Sequence, residues 1–143
     1  MRITRLAVHR VNVPLVAGYR WASGVYFGAT KGIVEIHTDE GLIGLGEVAT
    51  VENADVVEHE LAPRLIGVDP LCIDDCERRC LPEIRTLHNT HDAGLVRAFG
   101  GIEMALWDLK GKALGVPVYA LWGGPVRREI GFSVSSSGHA PTY

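Results

Sequence analysis

The sequence predicts an α+β domain in which a three-stranded antiparallel meander precedes a group of helices. In the first third of the chain, apolar and polar residues alternate, which is the pattern of half-buried strands. In the last third, apolar residues recur at steps of three and four, which is the pattern of an amphipathic helix. A chain of 143 residues is long enough to bury one core between the two layers.

Three strands account for the alternating part of the chain. The first covers residues 2–13 and is expected to end at Pro14, because proline cannot donate to a strand ladder. The second covers 32–38, and a turn that contains glycine, at 39–41, leads into the third strand at 42–48. Two alternating segments joined by a short turn of this kind form an antiparallel hairpin.

Two shorter helices are predicted after the strands. Asn53 is a residue type that caps helix starts, and it predicts a helix that runs to about Ile66. Gly67 then interrupts the chain, and a second helix is expected over residues 73–87.

The longest helix is predicted to start near Asp92 and to end at Gly115 and Pro117. Asp108 and Lys112 are spaced to form an i,i+4 ion pair on one of its faces. Its apolar face follows steps of four and three residues and consists of Leu95, Phe99, Ile102, Leu106, Leu109 and Ala113.

Two adjacent glycines lie inside this helix, although each costs about 1 kcal/mol of helix stability relative to alanine. A helix tolerates such residues where another backbone must approach closely. Gly100, Gly101 and Ala105 therefore predict a smooth surface against which a neighbouring helix or the sheet docks tightly.

Composition and charge exclude several classes of function. Apolar residues make up 47% of the chain, charged residues make up 22%, and the formal net charge is −3. Because basic residues form no long run, neither nucleic acid nor an anionic membrane is an expected partner. The first residues lack the continuous apolar region of a signal peptide, and three cysteines without such a leader favour reduced thiols in a cytoplasmic protein.

Two segments carry a resemblance to a known family: GLIGLGE at 41–47 and AFGGIEMALWDLKGKALGVPVYALWGG at 98–124. They resemble the N-terminal part of the enolase superfamily, in its mandelate racemase and muconate lactonizing enzyme branch. The similarity runs from Ile3 to about Ser137, and the spacing Ile-Glu-x-Ala-Leu-Trp-Asp-Leu-x-Gly-Lys is its most specific part. Trp122 departs from the family pattern, which has a smaller aliphatic residue there, so a local adjustment of packing is expected.

The resemblance implies an enolase-type capping domain over residues 1–124, which sets substrate specificity, and the start of a (β/α)7β barrel at 125–143. The first barrel strand is expected at 130–136, since this stretch looks like a strand with no sequential partner. A barrel needs more than about 200 residues, so the chain is expected to be the front part of a longer enzyme.

The chemistry that the resemblance implies is Mg²⁺-assisted removal of the proton next to a carboxylate, which gives an enediolate. The metal stabilises the charge that develops on the carboxylate oxygens. By the same resemblance, the Lys-x-Lys motif, the metal ligands and the terminal base would follow Tyr143, so no catalytic residue and no metal ligand is assigned within this chain. An acid-sugar dehydratase, a racemase or a cycloisomerase is expected, with a slight preference for the dehydratase.

Substrate contacts are expected from two connections between elements. The first, PLVAGYRWASGVYFGATK at 14–31, is long, glycine-rich and aromatic, which is typical of a functional lid. The second, ATVENA at 49–54, offers Thr50 and Val51. An alternative is that some of the rings only pin the first connection to the barrel. The candidates in the first connection are Tyr19, Arg20, Trp21 and Tyr26.

Ser135 is a further candidate for binding substrate. It lies near the C-terminal end of the expected barrel strand, where barrel enzymes build their sites. By resemblance to mandelate racemase, it would hydrogen-bond the substrate carboxylate. The alternative is that this segment is a fraying polar terminus.

Two other patterns are weaker. Cys72, Cys76 and Cys80 recur every four residues and could hold a metal, but buried free cysteines are common packing residues and no fourth ligand is clear. Gly44 and Gly46 fit a relaxed dinucleotide fingerprint, but no helix opens directly after them. Neither pattern is assigned a cofactor.

The expected partners are a small carboxylate substrate and further copies of the chain. The homo-oligomer, a dimer or an octamer, is expected by resemblance only. A function from another class remains open: a stand-alone, non-catalytic α+β binding module that holds a small molecule or a partner with its aromatic connection.

Overall fold

The computed structural model describes residues 1–81 and 90–132, with side chains described from residue 93 onward in the second segment. Three strands form one antiparallel sheet in the order β1-β2-β3, and helical elements follow them. The predicted α+β fold, a meander followed by helices, is confirmed. The elements are β1 (Ile3–Trp21), β2 (Gly24–Thr38), β3 (Ile43–Val48), α1 (Val51–Val56), a π-helical turn (Val57–Leu61), α2 (Ala62–Leu65), α3 (Ile73–Cys80), α4 (Thr90–Leu114) and α5 (Val118–Leu121).

One face of the sheet is buried beneath the helices. On β2 the buried side chains are the even-numbered ones, such as Val34 and Ile36, as expected for a strand with period two. They pack in one core with Ile102, Leu106 and Leu109 of α4, all of them fully buried. No helix in the described part of the chain is both long enough and apolar enough to cross a membrane.

β1 and β2 are much longer than predicted, and the connection predicted at 14–31 is not a loop. The two strands continue as a hairpin to a turn at residues 22–23, where Trp21 pairs with Gly24. Pro14 does not end β1. The backbone nitrogen of Leu45 points away from β2, towards Asp108, so its partner Glu35 directs its own backbone groups towards β1. The odd-numbered residues of β1, such as the Glu35 partner Ala7, then bond to β2, and the nitrogens of even-numbered residues face away from it. The Pro14 nitrogen therefore lies at the free edge of β1, where no ladder bond is lost.

A large bulge divides β1. Pro14 pairs with Gly28 and Tyr19 pairs with Tyr26, so the four residues 15–18 lie opposite one residue of β2. A bulge of this size changes the parity of the strand. From Leu6 to Pro14 the even-numbered residues of β1 share the buried face of the sheet, whereas beyond the bulge that face is occupied by odd-numbered residues.

The helix boundaries differ from the predicted ones in several places. α1 begins three residues before its predicted start, because Thr50 rather than Asn53 is the N-cap: its backbone is extended, and its Oγ1 accepts a hydrogen bond from the Asn53 nitrogen at 3.2 Å. α3 ends at Cys80, and residues 82–87 of its predicted range lie outside the described residues. α4 begins at Thr90, two residues before its predicted start.

The backbone of α4 packs directly against the edge strand β3. A Cβ atom added to Gly46 would collide with the carbonyl oxygen of Gly101, and one added to Gly44 would collide with that of Ala105. The predicted tight docking is confirmed for Gly101 and Ala105, and the partner is the sheet. It is wrong for Gly100, where an added Cβ would meet no atom within 4 Å.

The predicted barrel strand at 130–136 stays a prediction. Within the described residues, 130–132 belong to no strand, and Ile130 and Phe132 are almost fully exposed. The remaining residues of the predicted strand lie outside the described part of the chain.

Candidate functional site

The β1–β2 hairpin projects beyond the rest of the sheet. β3 ends at Val48, which pairs with Gly32 of β2. From Gly32 to the turn at Gly24 only two strands continue, over about 26 Å at the usual rise per residue. An isolated two-stranded hairpin is marginally stable in water, so a projection of this length with apolar side chains is typical of a segment that covers another surface.

Three aromatic residues lie together on one face of the hairpin tip (residues 19–26). Tyr19 pairs directly with Tyr26, and the rings of Tyr19 and Trp21 are stacked with their centroids 5.9 Å apart. The hydroxyl groups of Tyr26 and Ser23 are 2.8 Å apart and form a hydrogen bond. Tyr19, Trp21 and Tyr26 are 39%, 61% and 47% exposed.

These rings occupy the same face of the hairpin as the core of the domain. Tyr26 is an even-numbered residue of β2, like the buried Val34, and directly paired residues share a face. Tyr19 and Trp21 reach that face only because the bulge at 15–18 changes the parity of β1. We call this face of the tip the inner face. The helices cover it at the base of the hairpin, and the rings remain exposed beyond them.

The structure separates Arg20 from the three rings. Arg20 pairs with Val25, so both lie on the opposite, outer face of the tip, together with the exposed ring of Phe27. The sequence prediction groups Arg20 with its aromatic neighbours because all four are close along the chain. In a strand, however, neighbours in sequence point to opposite faces.

Thr50 and Val51 lie at the base of the hairpin, not at its tip. They follow β3, whose last residue pairs with Gly32, and six residues of β2, about 20 Å, separate this point from Tyr26. The Thr50 hydroxyl is engaged as the N-cap of α1, while Val51 is partly exposed. The two predicted groups are therefore not in contact, and Ser135 lies outside the described residues.

The described residues do not fit a Mg²⁺ ion. One group of side chains in this part of the chain could hold a metal, namely the exposed Asp55, Glu58 and His59. Both carboxylates of this group are already paired with Arg10: its guanidinium group donates to the Asp55 carboxylate and, at 2.9 Å, to that of Glu58. The two carboxylates thus belong to an ion-pair network at the surface, so no reaction step is assigned to a metal held by these residues.

The three cysteines do not form a second group of this kind within the described residues. Cys76 and Cys80 are fully buried, whereas Cys72 is exposed. Burial raises the pKa of the Cys76 thiol to about 12 and that of Cys80 to about 11. In the described part of the chain, the cysteine sulfur atoms do not come together with other His, Cys, Asp or Glu side chains as a group that could hold a metal. The role of the two buried cysteines is packing.

Sequence reasoning missed the length of the hairpin and the bulge that orients its rings. One signal could have indicated the hairpin: Val25, Tyr26 and Phe27 are strand-forming residue types within the segment predicted to be a loop. Trp122 causes no conflict, because it lies at the surface in edge-to-face contact with Trp107, with ring centroids 5.4 Å apart.

The chemistry available to the inner face is recognition of an uncharged, partly polar part of a molecule. Stacked indole and phenol rings offer flat apolar surface, and the tyrosine hydroxyls offer hydrogen bonds. Arg20, the basic residue in this part of the hairpin, lies on the outer face instead. The arrangement therefore suits carbon–hydrogen faces and hydroxyl groups of a ligand better than a carboxylate group.

Comparison with known proteins connects this geometry with a family. Residues 3–123 match the family described as "Mandelate racemase / muconate lactonizing enzyme, N-terminal domain". The chain is 42% identical over 135 residues to D-galactonate dehydratase of Verminephrobacter eiseniae, covering 91% of this chain and 30% of that protein. It is 36% identical over 154 residues to cis-3-hydroxy-L-proline dehydratase of Roseibium aggregatum, covering 99% and 39%.

Solved structures agree with this assignment. The muconate lactonizing enzyme of Pseudomonas fluorescens, complexed with muconolactone, superposes with a TM-score of 0.75 at 28% identity, over 88% of this chain and 35% of that one. N-succinyl Arg/Lys racemase of Bacillus cereus superposes with a TM-score of 0.75 at 29% identity, over 89% and 35%. The chain thus spans about a third of the length of these relatives. It belongs to the mandelate racemase and muconate lactonizing enzyme family of the enolase superfamily, of which it represents the N-terminal domain.

Proposed function

We propose that this chain caps the active site of an enzyme that removes the proton next to a carboxylate and then eliminates water from a hydroxylated acid. The observation that carries the proposal is the exposed inner face of the hairpin tip, where Tyr19, Trp21 and Tyr26 extend the buried face of the sheet beyond its helices. Two relatives are named as dehydratases of hydroxylated acids, which supports the elimination.

On this proposal the reacting groups lie in a barrel that follows the capping domain of residues 1–124, with its first strand at 130–136. Enolase-type sites use a lysine or histidine base and Mg²⁺, which supplies stabilisation of the enediolate charge. On this proposal neither comes from residues 1–124, whose part is to cover the site, exclude water and orient the substrate. Ser135 would contact the substrate carboxylate from the barrel side.

The inner face would bind the hydroxylated end of the substrate. The stacked Tyr19 and Trp21 rings offer a surface for carbon–hydrogen groups, and the Tyr26 hydroxyl can exchange its bond with Ser23 for one with a substrate hydroxyl. Thr50 and Val51, about 20 Å away at the base, would line the opposite end of the covered space. Arg20 faces outward and is left out of this set.

The natural setting of the enzyme is part of the same proposal. We infer a cytoplasmic homo-oligomer acting on a small carboxylate. The outer face of the tip, with Val25 and Phe27 exposed, is one apolar surface that such an assembly would bury.

Racemisation is the second candidate, since one structural neighbour is a racemase. The two reactions share proton removal and differ in the fate of the enediolate, which either loses water or is reprotonated. Mass spectrometry separates them, because a dehydratase product has lost the mass of one water and a racemase product has not.

The test is steady-state kinetics of the complete enzyme on hydroxylated acids. Trp21→Ala removes a ring from the inner face and is expected to raise KM about tenfold, since a partly buried ring is worth about 1–2 kcal/mol of binding. Arg20→Ala, the adjacent residue on the outer face, is the matched control and is expected to leave KM within about twofold. If the two variants have equal KM values, the inner face does not bind substrate.

A further inference from the structure

The bulge in β1 is built so that a second pairing of the hairpin is available. Residues 15–18 lie opposite one residue of β2, and Val16 within them is completely exposed, although it is a strong strand former. If the pairing of Pro14 with Gly28 simply continued, Val16 would pair with Tyr26 and Gly18 with Gly24. Residues 19–23 would then form a five-residue loop, which is a common hairpin length.

The two-residue turn in the observed pairing, Ala22 and Ser23, does not have a conformation that stabilises this register. Two-residue hairpin turns normally need a positive φ in their first residue, and among the described residues only glycines have a positive φ. Ala22 and Ser23 therefore form neither of the preferred turn types. What holds this register is the stacking of Tyr19 on Trp21 and the hydrogen bond between Ser23 and Tyr26.

The two pairings present different inner faces. In the observed register the inner face of β1 shows Tyr19 and Trp21. In the shifted register it would show Val16 and Gly18, because their parity matches that of the strand before the bulge. β2 keeps its position in both, so Tyr26 stays on the inner face.

We propose that the hairpin tip of this protein exists in two registers, and that the register decides whether aromatic or small apolar side chains face the covered site. The inference that two registers exist depends only on the strand pairing of β1 with β2. Its effect on substrate choice rests on the proposed function.

Disulfide trapping tests the two registers in the chain itself, with Cys72→Ser as the background because Cys72 is the exposed cysteine. The pair Tyr19→Cys/Tyr26→Cys should close in the observed register, and Val16→Cys/Tyr26→Cys in the shifted one. The control is Ala17→Cys/Tyr26→Cys, because residues 17 and 26 are not directly paired in either register. We expect both test pairs to oxidise at least about tenfold faster than the control, because direct pairing gives the two thiols a higher effective concentration relative to each other. A Val16/Tyr26 rate equal to the control rate would overturn the second register.

The functional half is tested in the complete enzyme with pairs on the outer face, which leave the inner-face rings in place: Arg20→Cys/Val25→Cys for the observed register and Ala17→Cys/Val25→Cys for the shifted one. The ratio of kcat/KM for a hydroxylated acid over its deoxy analogue should differ by about tenfold or more between the two trapped forms. Equal ratios, with both disulfides verified by mass spectrometry, would overturn the link to substrate choice. Failure of the untrapped enzyme to process any carboxylate would count against the proposed function and would leave the trapping result in the isolated chain intact.

Discussion

The carboxylate of Asp108 accepts a hydrogen bond from the backbone nitrogen of Leu45 at 2.8 Å. β3 is an edge strand, and this bond satisfies a donor that would otherwise face solvent or another chain. Lys112 reaches the same edge: its Nζ donates to the Ile43 carbonyl oxygen at 2.7 Å and also pairs with Asp108. The i,i+4 pair predicted from the sequence is therefore real, and its larger role is to hold α4 on the sheet.

Asp108→Ala is predicted to destabilise the chain by about 1–2 kcal/mol, because it removes a charged acceptor from the Leu45 N–H. Asp108→Asn keeps an acceptor oxygen and should lose less. Chemical denaturation of both variants measures the difference. Equal stability of the alanine variant and the parent would show that the contact contributes nothing.

Alanine substitutions at the two adjacent glycines of α4 are predicted to change the free energy of unfolding in opposite directions. Gly101→Ala would push a Cβ atom to within 2.9 Å of the Glu47 carbonyl oxygen and should destabilise by about 2 kcal/mol or more. Gly100→Ala meets open space and should stabilise by about 0.5–1 kcal/mol, the usual gain in a helix interior.

Thermal or urea unfolding of the two variants decides this prediction. The two positions are adjacent in one helix, so helix propensity is the same and only the packing differs. Two stabilising substitutions would contradict the close approach of α4 and β3.

The cysteines are predicted to differ in reactivity. With the chain folded at pH 8, a thiol reagent should label Cys72 and spare Cys76 and Cys80, because burial raises the pKa of both buried thiols and blocks access to them. Mass spectrometry after labelling gives the number of labelled cysteines. Labelling of all three at equal rates would place the buried pair at the surface.

The same raised pKa values predict a loss of stability in alkali. Above about pH 9 the thiols of the unfolded chain ionise, while those of the folded chain stay protonated until about pH 11 to 12. Protons are then bound more strongly by the folded state, so unfolding becomes easier as pH rises through this range. Cys80→Ser is expected to flatten the dependence, and an unchanged slope would exclude the thiols as its cause.

On the open face of the sheet, Glu35 contacts two histidines, and this predicts a measurable titration. The hydrogen bonds from His37 at 2.9 Å and from His9 at 3.3 Å lower the pKa of the Glu35 carboxyl. The contribution to stability is present above the usual glutamate range and is lost as pH falls through the lowered pKa. His37→Gln should raise that pKa, with a smaller change for His9→Gln, as NMR titration can follow. Identical Glu35 titrations in both variants and the parent would rule out the contact.

Local patterns predicted much of the base of the fold. Alternation located the cores of all three strands, and the apolar periodicity of α4 identified Ile102, Leu106 and Leu109 as core residues, all of which are fully buried. The predicted close approach at Gly101 was also correct, because contact with another backbone can offset the cost of glycine inside a helix, but the same argument failed at Gly100, which faces open space.

The hairpin tip was not predictable in the same way. Pro14 and the glycines after it indicated a loop, yet the proline nitrogen faces a free edge and the glycines accommodate close neighbours such as Phe27 at Gly18. The parity change in the bulge is a long-range property of pairing, which no local pattern carries. For this reason the sequence places Arg20 with rings that lie on the other face.

The most direct test of the capping role is hydrogen exchange in the complete enzyme, with and without a saturating hydroxylated acid. If the tip covers the site, the substrate is expected to slow exchange in the hairpin tip, residues 19–26. The turn at Asp39, Glu40 and Gly41, which joins β2 to β3 at the opposite end of the sheet, serves as the internal control and should be unchanged. Exchange at the tip that is indifferent to substrate, or protection of equal size at both ends of the sheet, would contradict the proposal that this face covers the active site.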